Sequence, residues 1–541
     1  MPKSDYSKQL KHAWKLLPPS VAFLLALAVR YHFLVTYRYP LMIHEQDAVG
    51  YMDVAKSILQ LHIPSVAGRP PGYPLVISLF ALFPIGLEYA ARLASIFMDA
   101  LIVFPLYLIA RIYLSRVGSF AACLLWAFFS FSLVFSPSPL SQSSYLCYLL
   151  FGVVCLHQGL EKKGIWWFSA AGACMALSYL ARPEGIVGFG CGLFICLTPF
   201  VERGGLHRKN LVMPASFLFG FLLLAAPYLV ALRGAFGIWT LSPLSEAHVK
   251  TADVILTLNA KGELQRTGSA GLSVWTEYYK TMPLFLGSVW ANIQAFAGVY
   301  KNTFPAWMLF MSGAGVLSLA WKNSWRNFAL FLIPIAVIAP NFVVSIPKTH
   351  SYLYPVFAMT GIFFVAGFEA AAQGVCRVVR MAAPEKQPRI LEAALVGALF
   401  LIVSSFAIES YRIADNNYQS PEQIMEVLET EKIFMLAGEF IKNHSRAEDV
   451  IMTRWGLVGY FADRPVLALP KGGVKEVIEY GKKNGASFIL IDTKSVLSRR
   501  EELLELFGPL EGKRVNPAYG IEAMKGSYFP NLGGYVIYRY Q

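Results

Sequence analysis

The feature that most constrains this chain is a succession of apolar stretches of near-membrane length, separated by short loops in which lysine and arginine gather. About eleven such stretches run at 17–35, 88–110, 119–135, 143–160, 165–181, 185–200, 211–232, 305–321, 328–344, 352–372 and 391–408. A run of this length carries few charges and must satisfy its own backbone polar groups in lipid, which only helices and closed barrels do. The composition agrees, since 56% hydrophobic and 15% charged residues do not describe a soluble protein. The fold class read from the sequence is a polytopic α-helical membrane protein.

Orientation follows from the basic residues. The first fifteen residues carry four lysines, and no small-residue cleavage site follows the stretch 17–35, so that segment reads as a retained helix rather than a signal peptide. With the N-terminus cytoplasmic, the cytoplasmic loops hold seventeen lysines and arginines, whereas the short opposite loops 136–142, 182–184 and 345–351 hold only Arg182 and Lys348. This bias puts 36–87, 233–304 and 409–541 on the outer side of the membrane. The net charge of +13 therefore sets topology and does not mark a nucleic-acid surface. Seven cysteines, none in a C-x-x-C pair, indicate neither a disulfide framework nor a zinc site.

Residues 1–408 read as the membrane domain, with outer loops 36–87 and 233–304, and 409–541 as a separate outer domain. In the first loop Asp47 could cap a surface helix running to Leu59, with Ala48, Met52, Ala55 and Leu59 on one face. Pro70, Pro71 and Pro74 then break the chain before 75–83, too short to span. After residue 420 helical and strand patterns alternate: helices at 421–446, 456–461, 474–483 and 499–507, strands at 449–452, 466–469, 487–491 and 534–539. A small soluble α/β domain without a phosphate-binding glycine loop is the expectation.

The residues able to carry chemistry lie on the outer side. Glu45 and Asp47 place two carboxylates two positions apart in a loop, suited to one hydroxyl or one cation. Asp47 alone also reads as a plain helix cap. A divalent metal would find ligands in Glu45, Asp47 and His44, although one E-x-D asks for none. Arg69, Arg182 with Glu184, and Lys348 with His350 stand at outer ends of apolar stretches, where cations either snorkel to headgroups or hold a lipid-linked phosphate. Tyr51, Tyr73 and Tyr352 suit sugar or lipid contacts, and equally an interfacial belt.

The order of several short motifs is similar to a known group. Asp47-x-x-x-Tyr51, Arg69-Pro-Pro-x-Tyr73, the span from Ala94 to Arg111, Ser136-Pro-x-Pro, Leu180-Ala-Arg-Pro-Glu-Gly185, Pro227-Tyr with Gly237-x-Trp239, and Tyr352-Leu-Tyr-Pro355 together resemble the bacterial branch of type C (GT-C fold) glycosyltransferases. That branch is related to protein O-mannosyltransferases and the lipid A aminoarabinose transferase. Ala437-Gly-Glu-Phe-Ile, Asp449-Val-Ile-Met-Thr and Ile489-Leu-Ile-Asp492 resemble its soluble tail. The resemblance implies a polyprenyl-phosphate sugar donor, a catalytic acid at Asp47, a basic residue at Arg69 and no obligatory cofactor. Two positions depart from the pattern: Gln142 stands where many relatives have glutamate, and Ser351 where an arginine often precedes Tyr-Leu-x-Pro.

The expected function is inverting transfer of a sugar from the lipid-linked donor to a lipid, glycan or protein acceptor, with Asp47 as general base and Arg69, Arg182, Lys348 and His350 on the phosphate. The alternative is a transporter or flippase of lipid-linked sugars. It would place ionisable residues at the bilayer midplane on paired repeats, but no repeat is evident and only Arg30 and Asp99 stand out as charges within the spans.

Overall fold

A computed structural model of the chain describes residues 3–38, 46–62, 69–162, 164–202, 208–237, 239–241, 255–258, 264–267, 282–322, 324–343, 350–382, 388–419, 421–470, 472–493, 501–529 and 533–541. Among them, six helices are long and apolar enough to cross a membrane: Leu17–Thr36, Leu87–Ala110, Gln142–Lys162, Leu211–Ala235, His350–Met381 and Ile390–Asn416. A seventh span is obtained if Val289–Thr303 and Ala306–Lys322 count as one, although they meet at 113°. The bend falls at Pro305, whose missing N–H and ring end a helix. Four further apolar helices are shorter: Arg116–Ala127, Ile165–Ala181, Gly185–Thr198 and Trp325–Ala336.

The shortening has local causes. The stretch 119–135 divides at Phe128 and Phe129 into Arg116–Ala127 and Ser130–Phe135. The stretch 328–344 stops at Ala336, soon after Pro334, and resumes as Pro340–Val343. Inside the expected outer loop 233–304 the structure has a helix, Met282–Thr303, and a two-stranded antiparallel hairpin, Ile255–Leu258 with Leu264–Thr267, neither anticipated from the sequence.

The chain divides into two compact units. One comprises Met1–Thr36 with Val54–Asp415, the other Tyr37–Asp53 with Asn416–Gln541. The division after Asp415 falls within helix Pro388–Gln419, and residues 37–53 group with the second unit.

In the first unit, helices approach closely where small residues allow it. A Cβ on Gly172 would lie 1.9 Å from the Phe217 carbonyl oxygen, and one on Gly315 would lie 1.8 Å from that of Phe363. At its centre Arg30 and Asp99 are both fully buried, and every donor of the guanidinium is used. Its Nε donates to Asp99 Oδ1 at 2.7 Å, Nη1 to the carbonyls of Ala26 and Ala127 at 3.0 and 2.8 Å, and Nη2 to the Trp126 carbonyl at 3.2 Å and to Ser132 Oγ. Asp99 is equally occupied. Oδ1 also accepts from Ser132 Oγ at 2.7 Å, while Oδ2 accepts from Ser143 Oγ at 3.0 Å and from the Tyr354 hydroxyl. Such completeness is what makes a charge pair tolerable away from water.

In the second unit five strands form a mixed sheet. Val450–Thr453 lies between Val466–Ala468 and Ala486–Asp492, parallel to both, and Gly533–Tyr540 and Ile521–Phe529 extend it antiparallel. Helix Val474–Lys483 buries Val474, Val477, Ile478 and Gly481 against the sheet, the spacing of one helix face. Its start is held by the Glu476 carboxylate, which accepts from the Gly473 amide at 2.7 Å. The expected α/β alternation is present, with two differences: 501–511 is a 3-10 helix, and strand Ile521–Phe529 was not foreseen.

Helix Gln46–Leu59 departs from its expected setting. Ala48, Met52 and Ala55 are buried as their spacing requires, but Val49, Tyr51 and Val54 are buried too, and Leu59 is 38% exposed. The wet side is narrower than that spacing predicts, with Asp47, Asp53 and Lys56 exposed. The helix also begins at Gln46, so Asp47 stands in the first turn rather than at the cap, where the helix dipole still favours a carboxylate.

Candidate active site

The site is clearest where helix Ile165–Ala181 ends. Pro183 disfavours helical backbone at the residue before it, and Arg182 is extended at φ −149° and ψ 135°. The turn back into helix Gly185–Glu202 is so tight that a Cβ on Gly185 would lie 2.4 Å from the Tyr179 amide nitrogen. The turn sets Arg182 and Glu184 beside each other, with Nη2 2.9 Å from Oε1 and the side chains only 17% and 16% exposed. The guanidinium lies 5.3 Å from the Tyr352 ring centroid, a cation–π contact. Burial raises the Glu184 carboxyl, but the Arg182 charge, its hydrogen bond and a backbone amide together hold it below the ordinary carboxylate value. Glu184 is therefore an anion at neutral pH, and it fixes the guanidinium in place.

Tyr352 belongs to the 3-10 turn His350–Leu353, which opens helix Tyr354–Ala382. The half-buried imidazole of His350 stacks on Phe131 with centroids 3.7 Å apart and planes 16° apart. Three expected site residues, Arg182, Glu184 and Tyr352, are thus in direct contact, and His350 is two residues away along the same turn.

The Arg69 turn approaches the same place. Arg69 is half-buried, and a Cβ on Gly72 would lie 2.6 Å from the Leu180 carbonyl carbon and 2.7 Å from the Ala181 nitrogen. Only glycine lets the Pro-Pro-Gly turn rest on the helix end that presents Arg182. Tyr73 serves this docking: it is fully buried, and its hydroxyl donates to the Ala91 carbonyl at 2.8 Å and lies 2.6 Å from Ser95 Oγ. In this structure Tyr73 ties helix Gly72–Phe80 to helix Leu87–Leu101.

Sequence reasoning passed over a second basic side chain here. Arg92 is fully buried and paired with Glu88 at 3.0 Å through Nε and 2.7 Å through Nη2, while Nη1 donates to the Pro137 carbonyl at 3.1 Å. It fastens the Ser136-Pro-x-Pro turn, and the i,i+4 spacing of Glu88 and Arg92 was the available signal.

Asp47 is exposed and Tyr51 is 6% exposed, both in the second unit, whereas Arg69, Arg182, Glu184, His350 and Tyr352 belong to the first. His44, Glu45 and Lys348 lie outside the described residues. Among the described residues, no three His, Cys, Asp or Glu side chains are grouped to hold a metal ion.

Comparisons with known proteins bear on this geometry. Residues 68–230, which include Arg69, Arg92, Asp99, Arg182 and Glu184, match the sequence profile of the family described as dolichyl-phosphate-mannose-protein mannosyltransferase. Asp47 and Tyr352 fall outside the matched segment. No curated protein matches the chain in sequence. Among solved structures, the apo state of ArnT from Cupriavidus metallidurans is similar with a TM-score of 0.56 at 13% identity, over 98% of this chain and 98% of that one. The same protein bound to undecaprenyl phosphate gives a TM-score of 0.55 at 13% identity, over 97% and 98% of the two chains. The oligosaccharyltransferase AglB from Archaeoglobus fulgidus, in complex with an inhibitory peptide and a dolichol-phosphate, gives 0.56 at 13% identity, over 90% of this chain and 70% of that one. The resemblance carried by the short motifs thus holds at the level of the fold and of one matched segment: this is an integral membrane protein with the fold of these GT-C structures, and its residues 68–230 match the dolichyl-phosphate-mannose-protein mannosyltransferase family.

Proposed function

We propose that the chain transfers a sugar from a polyprenyl-phosphate donor to an acceptor hydroxyl on the outer face of the membrane, with inversion at the anomeric carbon. The observation that carries this reading is the Arg182–Glu184–Tyr352 contact: a guanidinium fixed by a carboxylate and an aromatic ring where apolar helices end. A lipid phosphate needs a fixed cation in such a place. Structures of the same fold hold undecaprenyl phosphate in one case and a dolichol-phosphate in another, which supports a lipid phosphate as the ligand here.

In this reading Asp47, with Glu45 beside it in sequence, accepts the proton of the acceptor hydroxyl. The freed oxygen attacks the anomeric carbon in line, and the bond from that carbon to the phosphate oxygen breaks through an oxocarbenium-like transition state. Polyprenyl phosphate leaves with the bonding electron pair. No acid is required to protonate it, because Arg69, Arg182 and Lys348, with His350 nearby, take up the developing charge. Tyr51, Glu184 and Tyr352 line or orient the site, and Tyr73 contributes by docking the Arg69 turn. No metal is required. A divalent ion, were one used, would be held by His44, Glu45 and Asp47. The N-terminus is cytoplasmic and residues 409–541 lie outside, so donor and acceptor meet at the outer leaflet.

The test is reconstitution in liposomes with a labelled polyprenyl-phosphate sugar. A covalent product is expected, and Asp47→Asn should slow its formation by about 10² to 10⁴. Near wild-type transfer by that variant overturns the base assignment, and donor movement across the bilayer without product would replace the transferase by a flippase.

A further inference from the structure

We propose that Asp99 is a positioning residue for the donor phosphate site, acting through Tyr354; this rests on the donor reading above. Arg30 and Asp99 have an obvious structural role, since a buried ion pair with every group satisfied joins the helices that contribute to it. Their partners show something more specific. The two oxygens of Asp99 serve two walls: Oδ1 accepts from Ser132 Oγ at 2.7 Å, and Oδ2 accepts from the Tyr354 hydroxyl.

Tyr354 is the first residue of helix Tyr354–Ala382, immediately after the turn His350–Leu353. In that turn Tyr352 meets the Arg182 guanidinium, and His350 stacks on Phe131 at 3.7 Å. Phe131 is the chain neighbour of Ser132. The contacts therefore close on themselves, from Asp99 to Tyr354, along the turn to His350, across to Phe131, and through Ser132 back to Asp99. Ser132 and Tyr354, on opposite sides of this ring of contacts, are held by one carboxylate that cannot exchange its partners for water, because it is fully buried. Arg30 holds that carboxylate in place, with its remaining N–H groups fixed on the Ala26, Ala127 and Trp126 carbonyls and on Ser132. Removing the Tyr354 hydroxyl opens the ring on the side that carries Tyr352, and the aromatic support of Arg182 loosens without any change in the residues touching the donor.

A control lies on the same helix. Glu369, fifteen residues beyond Tyr354 and so about 22 Å along the axis, accepts from the Ser115 amide at 3.2 Å at the start of helix Arg116–Ala127. It supports the fold and does not touch the turn.

The experiment is titration of the detergent-solubilised full chain with undecaprenyl phosphate, followed by intrinsic tryptophan fluorescence, alongside thermal unfolding and donor and acceptor KM. Tyr354→Phe should weaken binding and raise the donor KM by about tenfold, with the acceptor KM unchanged. Glu369→Gln should lower the unfolding temperature and leave the affinity as in wild type. Ser132→Ala should shift donor affinity in the same direction as Tyr354→Phe and serves if that variant fails to fold. Wild-type affinity in both Tyr354→Phe and Ser132→Ala, or equal weakening by Glu369→Gln, overturns the positioning role. Failure of the wild-type chain to bind undecaprenyl phosphate overturns the donor reading and this inference with it, so the two failures are told apart.

Discussion

Two arginine–carboxylate pairs of the first unit have nearly the same geometry and opposite surroundings. Arg30 and Asp99 are 2.7 Å apart and 0% exposed, whereas Arg182 and Glu184 are 2.9 Å apart and 17% and 16% exposed. In the first pair every polar atom has a partner from the protein, drawn from several helices. Nothing remains for a substrate. In the second, one short turn supplies both charges at the ends of two helices, beside a tyrosine ring. Burial and completeness mark a scaffold. A pair at the rim, made by a turn, marks a place where a ligand's charge can be met.

That difference can be broken experimentally. The largest effect on stability should come from Asp99→Ala, which leaves Arg30 buried without its counter-charge and should destabilise the fold by about 3–5 kcal/mol, seen as loss of folded protein in thermal or denaturant unfolding. Replacing both, Arg30→Met with Asp99→Leu, should recover part of the loss, because the uncompensated charge is then gone. Arg182→Ala should reverse the pattern. Stability should fall less than in Asp99→Ala, because Glu184 keeps some access to solvent, while transfer falls about 10²- to 10³-fold, as when a donor to developing negative charge is removed. A large loss of stability in Arg182→Ala would erase the distinction between the pairs.

Smaller effects sharpen it. Tyr352→Ala removes the ring beneath Arg182 and should weaken donor binding by the equivalent of about 0.5–1 kcal/mol, a few-fold in donor KM, while Tyr352→Phe should stay near wild type. The pH response of Glu184 should be smaller still. Its folded pKa lies below the ordinary value of 4.5, so the contribution of the pair is complete above that value and is lost only as pH falls through the lowered one. Donor affinity of wild type and Glu184→Gln should therefore run parallel between pH 5 and 8 in a pH series. Divergence above pH 5 would mean that Glu184 titrates higher than its pairing allows.

Much of the architecture was legible because local chemistry agreed with tertiary structure. Helix Ile165–Ala181 has the limits its glycine and Arg-Pro punctuation require, and helix Val474–Lys483 has those of its apolar face. The reading failed where distant residues decided the outcome. Strand Ile521–Phe529 is largely exposed and carries no clear alternation, so only pairing with Gly533–Tyr540 defines it. Helix Met282–Thr303 lay hidden in a loop bounded by charge counting. At the site, the Arg182-Pro-Glu turn was readable because its residues are adjacent. The partners of Asp99 were not, since Ser132, Ser143 and Tyr354 stand 33, 44 and 255 positions away. The burial of Tyr73 was equally invisible, because an interfacial tyrosine and one locked to Ala91 and Ser95 look alike in sequence.

The most direct test of the central claim, that the rim pair meets the donor itself while the buried pair acts only by holding the scaffold around that site, is a donor titration of transfer by Arg182→Ala in liposomes, with its unfolding temperature measured on the same preparation. The expected result is a donor kcat/KM reduced about 10²- to 10³-fold in a protein that remains folded, with an unfolding temperature lowered less than in Asp99→Ala. Unchanged donor kcat/KM in a folded variant would contradict it.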